Sequence, residues 1–448
     1  MRQFTKYRLN LSLEAQSPLI HFQAREQGAT IRPSEVKPKL DRFLLDKLIQ
    51  RSGVESQKEL ETDSRYKGFF QPSAGESSAP SLRYQMCIFC DTPPMVVSIN
   101  NGSVRGPDGT VSLQRDSYKL YYGNSGKNTS MDEQTMGVIS NPTVSIRCFH
   151  PELQELISEN IEEFFLVTNF GSMQRKGFGG FLPDSVISGE RLTSNERRKI
   201  GGFLMERTGS KKCFFMDVDL PRDETEWVRG VHVKDYIDAF EDIRCFYQLM
   251  KSGYNQARPY GNSEYERSFL FQYMHQMGIG NEKAWMKQNH ISPATGQQPY
   301  MEHTPDETPR YVRAFFGTAG NLSYLMESKG RVNVSVEHQP REGDVNLDRI
   351  PSPVFFKVVK DTVFITAYPV PDEAYGQAFR FTGDKHRGFS SGVLNTPEKD
   401  LFQEISQDGG FPMDDFLARY VDHYNELIAK NRLPRYLRGA SYVQEVRF

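Results

Sequence analysis

The chain lacks the long apolar run that a transmembrane helix requires. Its 448 residues contain no stretch of about 18 or more apolar residues. The N-terminal segment MRQFTKYRLNLSLEAQ alternates like a strand and lacks the apolar core of a signal peptide. The Asn-x-Ser/Thr sequences, among them those at Asn101, Asn128 and Asn321, therefore carry little weight as glycosylation sites. These absences predict a cytoplasmic protein with no membrane partner.

Cysteine is also scarce, with five residues in the whole chain, which predicts reduced thiols rather than disulfides. Cys87 and Cys90 form a C-x-x-C pair, and Cys148 with His150 could complete a four-ligand zinc site. The alternative is that these thiols lie buried in strands, because apolar residues separate the first pair. A redox motif is disfavoured because no helix start follows Cys87. We expect no cofactor, with zinc as the alternative.

The chain has no large charge of either sign, since its formal net charge is -2. This excludes a protein that coats nucleic acid by bulk charge. Charge is nevertheless uneven: residues 171–212 hold nine Lys/Arg against four Asp/Glu, and residues 430–448 hold five against one. Residues 402–428 have the opposite balance, with six acids and one base. Such local patches indicate either a specific polyanion site or ordinary surface variation.

Neither the Walker A motif nor a Rossmann glycine fingerprint occurs, so we expect no nucleotide hydrolysis and no small-molecule substrate. The stretch NFGSMQRKGFGGFLPDS (169–185) instead places two cations among glycines and phenylalanines. Glycines expose backbone N–H groups and allow close approach, which suits a phosphate or RNA-backbone contact. A structural turn is the alternative. It is not the signature strand of an RRM, because it follows a predicted helix and is too rich in glycine for a central strand.

Strand and helix patterns alternate along the chain and predict an α+β fold. Helices are predicted from Ser34 to Gly53, from Pro151 to about residue 170, before Gly253, from residue 308 and near the C-terminus. We predict tandem ferredoxin-like (RRM-like) domains. The first covers residues 1–253, with insertions at about 54–82 (polar and mobile) and 100–140. The second covers residues 254–448, with an insertion at about 254–305 and a C-terminal helix.

Three of these pieces resemble motifs of one protein family. They are the turn SPLIHFQ after the first strand, the loop and helix GATIRPSEVKPKLDRFL, and the glycine-rich loop QRKGFGGF. The chain thereby resembles the RAMP superfamily, the RRM-like proteins of CRISPR effector complexes. The glycine-rich loop is most similar to that of the type III-B subunit that caps the complex at the 3′ side of the guide. The pieces RIPSPVFFKVV and TPRYVRAFFG repeat parts of the pattern in the second half.

The resemblance implies a structural subunit that contacts guide or target RNA backbone and has other CRISPR effector subunits as partners. It implies the following RNA-binding residues: Arg32, Lys37, Lys39 and Arg42 in the loop and helix; Arg175, Lys176, Gly177, Phe178 and Gly179 in the glycine-rich loop; and Arg310, Arg313 and Lys357 through the repeated pieces. Cations and backbone N–H groups suit phosphates, and aromatic faces suit unstacked bases.

Two other functions stay open from the sequence. The first is a metal-independent RAMP-fold endoribonuclease that processes guide RNA, with His21 as the candidate acid or base. The second is a protein–protein scaffold in a defence complex, with its basic patches facing an acidic partner. We favour a protein that is not an enzyme, because no aspartate matches the loop residue with which type III backbone subunits cut RNA.

Overall fold

The computed structural model describes residues 3–5, 7–23, 26–27, 29–71, 81–91, 94–99, 103–105, 111–113, 135–186, 189, 191–218, 233–256, 264–287, 308–325, 331–340, 347, 349–383, 391–406, 408–433 and 441–448. Its earlier elements are β1 (Gln3–Thr5), β2 (Arg8–Ala15), β3 (Phe22–Gln23), β4 (Glu26–Gln27), α1 (Pro33–Ser52), α2 (Gln57–Thr62), β5 (Gln85–Phe89), β6 (Met95–Ile99), β7 (Ser103–Arg105), β8 (Val111–Leu113), β9 (Thr135–Ile139), β10 (Thr143–Arg147), α3 (Pro151–Val167), β11 (Phe181–Pro183) and α4 (Ser194–Thr208).

The later elements are β12 (Phe214–Asp217), α5 (Val233–Lys251), β13 (Tyr254–Gln256), β14 (Glu264–Glu266), α6 (Phe269–Gln276), β15 (Ile279–Asn281), α7 (Glu282–Met286), β16 (Thr308–Arg310), β17 (Asn321–Leu325), β18 (Arg331–His338), β19 (Val354–Val359), β20 (Thr362–Ala367), β21 (Ala378–Gly383), β22 (Gly392–Asn395), α8 (Met413–Ala429) and β23 (Val443–Glu445). Short 3₁₀ helices lie at Lys67–Phe69, Val312–Phe316, Asp372–Ala374 and Lys399–Phe402.

Two β-α-β-β-α-β modules form the framework of the chain. The first module consists of β2, α1, β5, β10, α3 and β11, with the antiparallel sheet order β11-β2-β10-β5. The second module consists of β12, α5, β19, β20, α8 and β23, with the antiparallel order β23-β12-β20-β19. This element order is that of the ferredoxin-like fold. The predicted α+β class with two RRM-like units is therefore confirmed.

The domain division after residue 253 stays a prediction. In the described sheets, β12 and α5 already belong to the second module, although both precede residue 253. The change from one module to the other falls between β11 and β12, with α4 between them. Helix α5 begins about 15 residues after β12 and connects it to β19 within the second sheet. The sequence alone does not show to which of the two sheets α5 belongs.

The two central sheets differ in how they are buried. Along β2, polar and apolar residues alternate in the sequence RLNLSLEA, and every second side chain is buried in the hydrophobic core of the first module. All six residues of β19 and all six of β20 are buried instead. Alternating sequences form sheets with one solvated face, whereas continuous apolar runs form sheets covered on both faces. The second sheet is therefore enclosed, and the first sheet keeps an open face.

The enclosed sheet is covered by its own helices on one side and by the first module on the other. Phe356 and Val358 of β19 join the core beneath α5 and α8. Their neighbours Phe355 and Val359 point the other way and belong to the core of the first module, with Phe364 of β20. The modules therefore share one continuous hydrophobic contact.

A second four-stranded sheet has the order β17-β18-β21-β22, with β17 and β18 before the hairpin β19–β20 in sequence and β21 and β22 after it. The helix predicted from residue 308 is wrong. Residues 308–310 form β16, Val312–Phe316 form a 3₁₀ helix, and residues 321–325 form β17. Gly317 stops the helical turn at φ +96°, a conformation that favours glycine. All five residues of the 3₁₀ helix are buried. The segment therefore lacks the exposed polar face of an amphipathic helix.

The first helix begins at Pro33, one residue before the predicted start at Ser34, and Arg32 is its N-cap. Proline suits this first position because its missing N–H has no partner in a helix.

The polar segment predicted to be mobile contains α2 and the 3₁₀ helix at 67–69 in its described part, so that interpretation is wrong there. In the part of the chain that the structure describes, no helix is long and apolar enough to cross a membrane.

Candidate nucleic-acid interface

The glycine-rich loop forms the joint between the two modules. It leaves α3, folds back on itself through the Asn169–Gly180 bridge and enters β11. Phe170 N donates to Gly179 O at 3.0 Å, and Gly179 N donates to Pro18 O at 2.9 Å. Gly179 has φ +70°, and a Cβ there would lie 2.0 Å from Phe170 O. Only glycine fits this position.

Both cations of the loop lie against the second module. Arg175 Nη1 donates to Ser352 O, and its guanidinium lies 4.6 Å from the centre of the Tyr368 ring. Lys176 pairs in parallel with Phe356 of β19, and its ammonium lies 5.0 Å from the Tyr247 ring. Burial lowers the pKa of Arg175 and lowers that of Lys176 to about 8. Both side chains keep part of their surface exposed.

The next residues of the loop are turned into the core. Phe178 is 2% exposed and stacks on Phe240 of α5, with ring centres 4.1 Å apart. A Cβ at Gly177 would lie 3.2 Å from Ile243 of the same helix. The Phe178 ring therefore stabilises the joint between the modules, and it is not presented to a base.

A small recess lies beside this joint, and it is lined by Met173, Lys176, Phe178, Phe240, Ile243, Arg244 and Tyr247. Its cavity volume is about 20 Å³, enough for one water-sized group. Lys176 and Arg244 bring positive charge to a rim that is otherwise largely aromatic and apolar. The recess is too small to accept a nucleobase in this conformation.

His21 is held by hydrogen bonds on both ring nitrogens. Arg32 Nη2 donates to His21 Nε2 at 3.0 Å, and the opposite nitrogen lies 3.0 Å from Thr30 O. Because a guanidinium can only donate, Nε2 must accept, and the proton of His21 is on Nδ1. This arrangement leaves no lone pair for a general base. The geometry therefore gives no support to His21 as a nuclease residue.

Lys39 connects α1 to the glycine-rich loop. Its ammonium donates to Gln174 Oε1 at 3.0 Å, to Asn169 O at 3.1 Å and to Glu35 Oε1 at 3.2 Å. The same Glu35 oxygen accepts from Gly171 N at 2.6 Å. Burial lowers the pKa of Lys39, and Glu35 opposes this shift. The two segments that were matched separately in the sequence therefore meet in one polar network.

The other two cations of α1 have different surroundings. The Lys37 ammonium contacts Asp41 Oδ2 at 2.7 Å, Ser81 Oγ at 2.8 Å and Leu82 O at 3.0 Å. Its three donors are all used, so it ties α1 to the segment before β5. Arg42 is exposed one turn beyond Lys39 and has no hydrogen-bonded or charged partner among the described residues. Lys37 therefore has a structural role, and Arg42 is available to bind a ligand.

We call the surface formed by Arg32, Lys39, Arg42, Arg175 and Lys176 the basic seam. It follows the N-terminal half of α1 and crosses to the joint between the modules. With Glu35 as the carboxylate of its network, the seam carries a formal charge of about +4 from six charged groups, since five are positive and one is negative.

The three cations that were predicted to bind RNA through the repeated pieces of the second half lie away from the basic seam or inside the protein. Arg310 Nε donates to Glu398 Oε2 at 2.9 Å at the partly exposed edge of β16. Arg313 forms a buried ion pair with Glu282, whose side chain is fully buried. Lys357 is fully buried, and its ammonium donates to Phe165 O at 2.9 Å and Thr168 O at 2.8 Å. Lys357 thus binds the C-terminal carbonyls of α3, where a cation is favoured.

Lys357 makes stability depend on pH. Burial lowers its pKa from 10.5 to about 7 in the folded chain. Between these two values the unfolded chain binds one more proton, so the free energy of unfolding rises with pH, by up to about 1.4 kcal/mol per unit. We expect this rise in urea titrations of the wild type and a shallower rise in Lys357→Met, because Lys176, whose pKa is also lowered by burial, keeps its contribution. The exposed Lys399→Met is the control, and parallel curves for Lys357→Met and wild type would contradict the assignment.

The four zinc candidates are not brought together. Cys87 is exposed on β5, whereas Cys148 is buried and its thiol donates to His150 O at 3.4 Å. Burial raises the pKa of the thiols of Cys148 and Cys90, which disfavours the thiolate that zinc binds. No three His, Cys, Asp or Glu side chains gather in the described residues. The alternative of buried thiols holds for Cys148 but is wrong for Cys87.

Sequence reasoning missed the groups that hold these cations. Asn169 O and Gln174 bind Lys39 from 130 and 135 residues away, and Ser352 binds Arg175 from 177 residues away. No local pattern marks such acceptors, because a backbone carbonyl or an amide side chain has no distinctive spacing. The basic residues themselves were visible from the sequence.

Two family models cover most of the chain. The Cmr1 N-terminal domain matches residues 6–254, and the Cmr1 C-terminal domain matches residues 265–440. The chain belongs to the Cmr1 family. This confirms the resemblance to the RAMP proteins of type III-B effectors. No curated protein matches the Cmr1-family chain.

Two solved structures are similar to this Cmr1-family chain. One is Cmr1 from Pyrococcus furiosus in its apo form, with a TM-score of 0.38 and 10% identity over 98% of each chain. The other belongs to the cryo-EM structure of the Type III-B Cmr-beta bound to cognate target RNA, with a TM-score of 0.22 and 9% identity. That match covers 40% of this chain and 58% of the other.

Proposed function

We propose that the chain is a structural subunit of a type III-B CRISPR effector and binds the backbone of guide or target RNA along the basic seam. Its partners are then RNA and the other effector subunits. The observation that carries the proposal is the contact between α1 and the glycine-rich loop, where Lys39 Nζ lies 3.0 Å from Gln174 Oε1. Two basic segments that are far apart in sequence thereby form one surface.

The electrostatics of the seam favour an anionic ligand. Lys39, Arg175 and Lys176 all have lowered pKa values, and burial is the largest cause in each case. Burial disfavours the protonated form of each group. A bound phosphate would favour the protonated form, because hydrogen bonds between ionised groups are the strong ones.

Arg42 gives the cleanest test, because it is exposed on the seam. We expect Arg42→Glu to weaken binding of a single-stranded RNA about tenfold at about 0.1 M salt, and to reduce the salt slope by about 0.7. Fluorescence anisotropy at several salt concentrations measures both quantities. The matched control is Lys58→Glu on α2, which makes the same charge change on an exposed lysine beyond the far end of α1.

The result also separates this function from its rivals. Equal RNA binding by Arg42→Glu and Lys58→Glu would refute the seam as the RNA site. Binding that does not depend on salt would favour the protein–protein scaffold. Cleavage of the RNA in EDTA, lost in His21→Ala, would establish the endoribonuclease. We expect intact RNA, because Arg32 and Thr30 occupy both nitrogens of His21.

A further inference from the structure

The open face of the first sheet presents polar and aromatic side chains. On β2, Leu9, Leu11 and Leu13 enter the core, so the alternate residues point to the other side. The same alternation along β5 exposes Gln85, Cys87 and Phe89. The helices α1 and α3 contact the buried side. The basic seam lies on that helical side, so the open face is a separate surface.

Strand register arranges the side chains of this face in three rows across β2, β10 and β5. The rows are Arg8, Arg147 and Gln85; then Asn10, Ser145 and Cys87; then Ser12, Thr143 and Phe89. We call these nine residues, together with Arg83, Tyr7 and Phe149 at the first row, the open face.

Positive charge is concentrated at one end of the open face. Arg147 and Arg83 are exposed, and neither side chain has a hydrogen-bonded or charged partner among the described residues. Arg8 Nε donates to Ser145 Oγ at 2.9 Å, which orients its guanidinium across β10. Glu14 points to the same side, but it lies near the far end of β2 and is paired to Lys360 at 2.7 Å. Three guanidinium groups therefore share one end without a carboxylate among the face residues.

Aromatic rings flank these arginines. Phe149 is 68% exposed and Tyr7 is 38% exposed, and their ring centres lie 5.6 Å apart. Phe89, at the other end of the face, is 43% exposed. Exposed rings can stack on unpaired bases. Amides and hydroxyls lie between the two aromatic ends, at Asn10 and Ser12.

We propose that the open face binds single-stranded RNA, independently of the seam. The arginines hold phosphates, and Phe149, Tyr7 and Phe89 stack on unpaired bases. Charge complementarity selects this ligand over a neutral protein surface, because the exposed guanidinium groups of Arg83 and Arg147 have no anionic partner among the described residues. An antiparallel four-stranded sheet with exposed rings can stack two or three bases, and the exposed amide of Gln85 can contact a base edge.

The first experiment compares a face variant with a matched variant elsewhere. Arg147→Glu/Phe149→Ala removes an exposed cation and an exposed ring from the face. Arg447→Glu/Phe448→Ala makes the same change at the exposed C-terminus, where Phe448 is 70% exposed. With a single-stranded RNA of roughly 12 nucleotides, we expect the face variant to bind at least about tenfold more weakly. The C-terminal variant should bind within about twofold of the wild type.

The second experiment uses Cys87, an exposed thiol in the middle of the face. A photocrosslinker attached to Cys87 in a Cys90→Ser background should crosslink to the same RNA. Attached instead to Lys58→Cys in a Cys87→Ser/Cys90→Ser background, it should not. A folded face variant that binds RNA as tightly as wild type, or no crosslink from Cys87, would overturn the proposal. So would a face variant that keeps RNA but loses the other effector subunits, because the face would then bind protein.

Failure of this inference is distinguishable from failure of the proposed function. If Arg42→Glu binds normally and the face variant does not, the RNA lies on the open face and the seam proposal is wrong. If the reverse holds, the seam proposal stands alone. Loss of affinity in both variants, with additive effects on the salt slope, supports two separate contacts on the same or different strands.

Discussion

Gly179→Ala is expected to destabilise the chain by about 3 kcal/mol or more, because the added methyl group has nowhere to go. Its Cβ would lie 2.0 Å from Phe170 O and 2.8 Å from Phe170 C, both of them backbone atoms. The residue also has φ +70°, which costs an L-amino acid about 1–2 kcal/mol. Relief of the contact would move the loop away from Pro18 and break the hydrogen bond from Gly179 N. Urea unfolding followed by circular dichroism measures the loss.

Gly209 provides the matched control for this prediction. It ends α4 with φ +73°, but a Cβ there meets no atom within 4 Å. Gly209→Ala therefore carries the conformational cost without the steric one, and we expect a loss of about 1 kcal/mol. The difference between the two variants measures how rigid the joint is. Equal losses would show that the loop can shift freely, and the description of a fixed joint would then be wrong.

Arg313→Met is expected to cost about 3–5 kcal/mol, because it leaves a carboxylate buried without its main partner. Glu282 is 0% exposed, one of its oxygens accepts from Arg313 Nε, and the other accepts from Val312 N at 3.1 Å. Chemical unfolding of the purified variant gives the value.

A double-mutant cycle shows whether the loss comes from the unpaired charge. Glu282→Gln/Arg313→Met removes both charges, and we expect it to be more stable than Arg313→Met alone. Arg310→Met is the control, because the Arg310–Glu398 pair is partly exposed, with side chains 23% and 36% accessible. Such a pair contributes about 1 kcal/mol or less. A double variant no more stable than Arg313→Met would locate the loss in packing.

Much of the framework could be predicted from local pattern. The helices α1, α3, α5 and α8 have amphipathic spacing with proline or acidic residues at their starts, and these signals do not depend on distant residues. The hairpin β19–β20 can also be read from the sequence, because two apolar runs flank Lys360-Asp361. In the structure Lys360 has φ +52° in this turn. Helix α4 was missed although its capping box, Thr193 with Glu196, is present in the sequence.

Some features of the candidate site likewise depend on neighbouring residues, and others depend on residues far along the chain. The basic and glycine-rich character of the loop is a property of consecutive residues, so it can be read directly from the sequence. That these residues bind RNA stays a prediction. Whether each cation faces solvent or protein depends on partners far along the chain. Lys37, Arg313 and Lys357 look like surface cations in sequence, yet internal acceptors hold all three. The open face required strand register, which sequence alone does not give.

The contact between Lys357 and the end of α3 has a consequence for synthesis on the ribosome. Phe165 O and the ammonium that binds it are separated by 192 residues, and translation adds about 5–20 residues per second, so α3 waits about 10–40 s for this partner. The wait is longer for β12, because β23, its partner on one side, is made only at Val443–Glu445. The nascent first module thus emerges with the apolar surface that later meets β19 still uncovered. A chain truncated by a premature stop codon near its end would keep β12 unpaired on that side, and it would be a substrate for chaperones and proteases rather than a shorter working subunit.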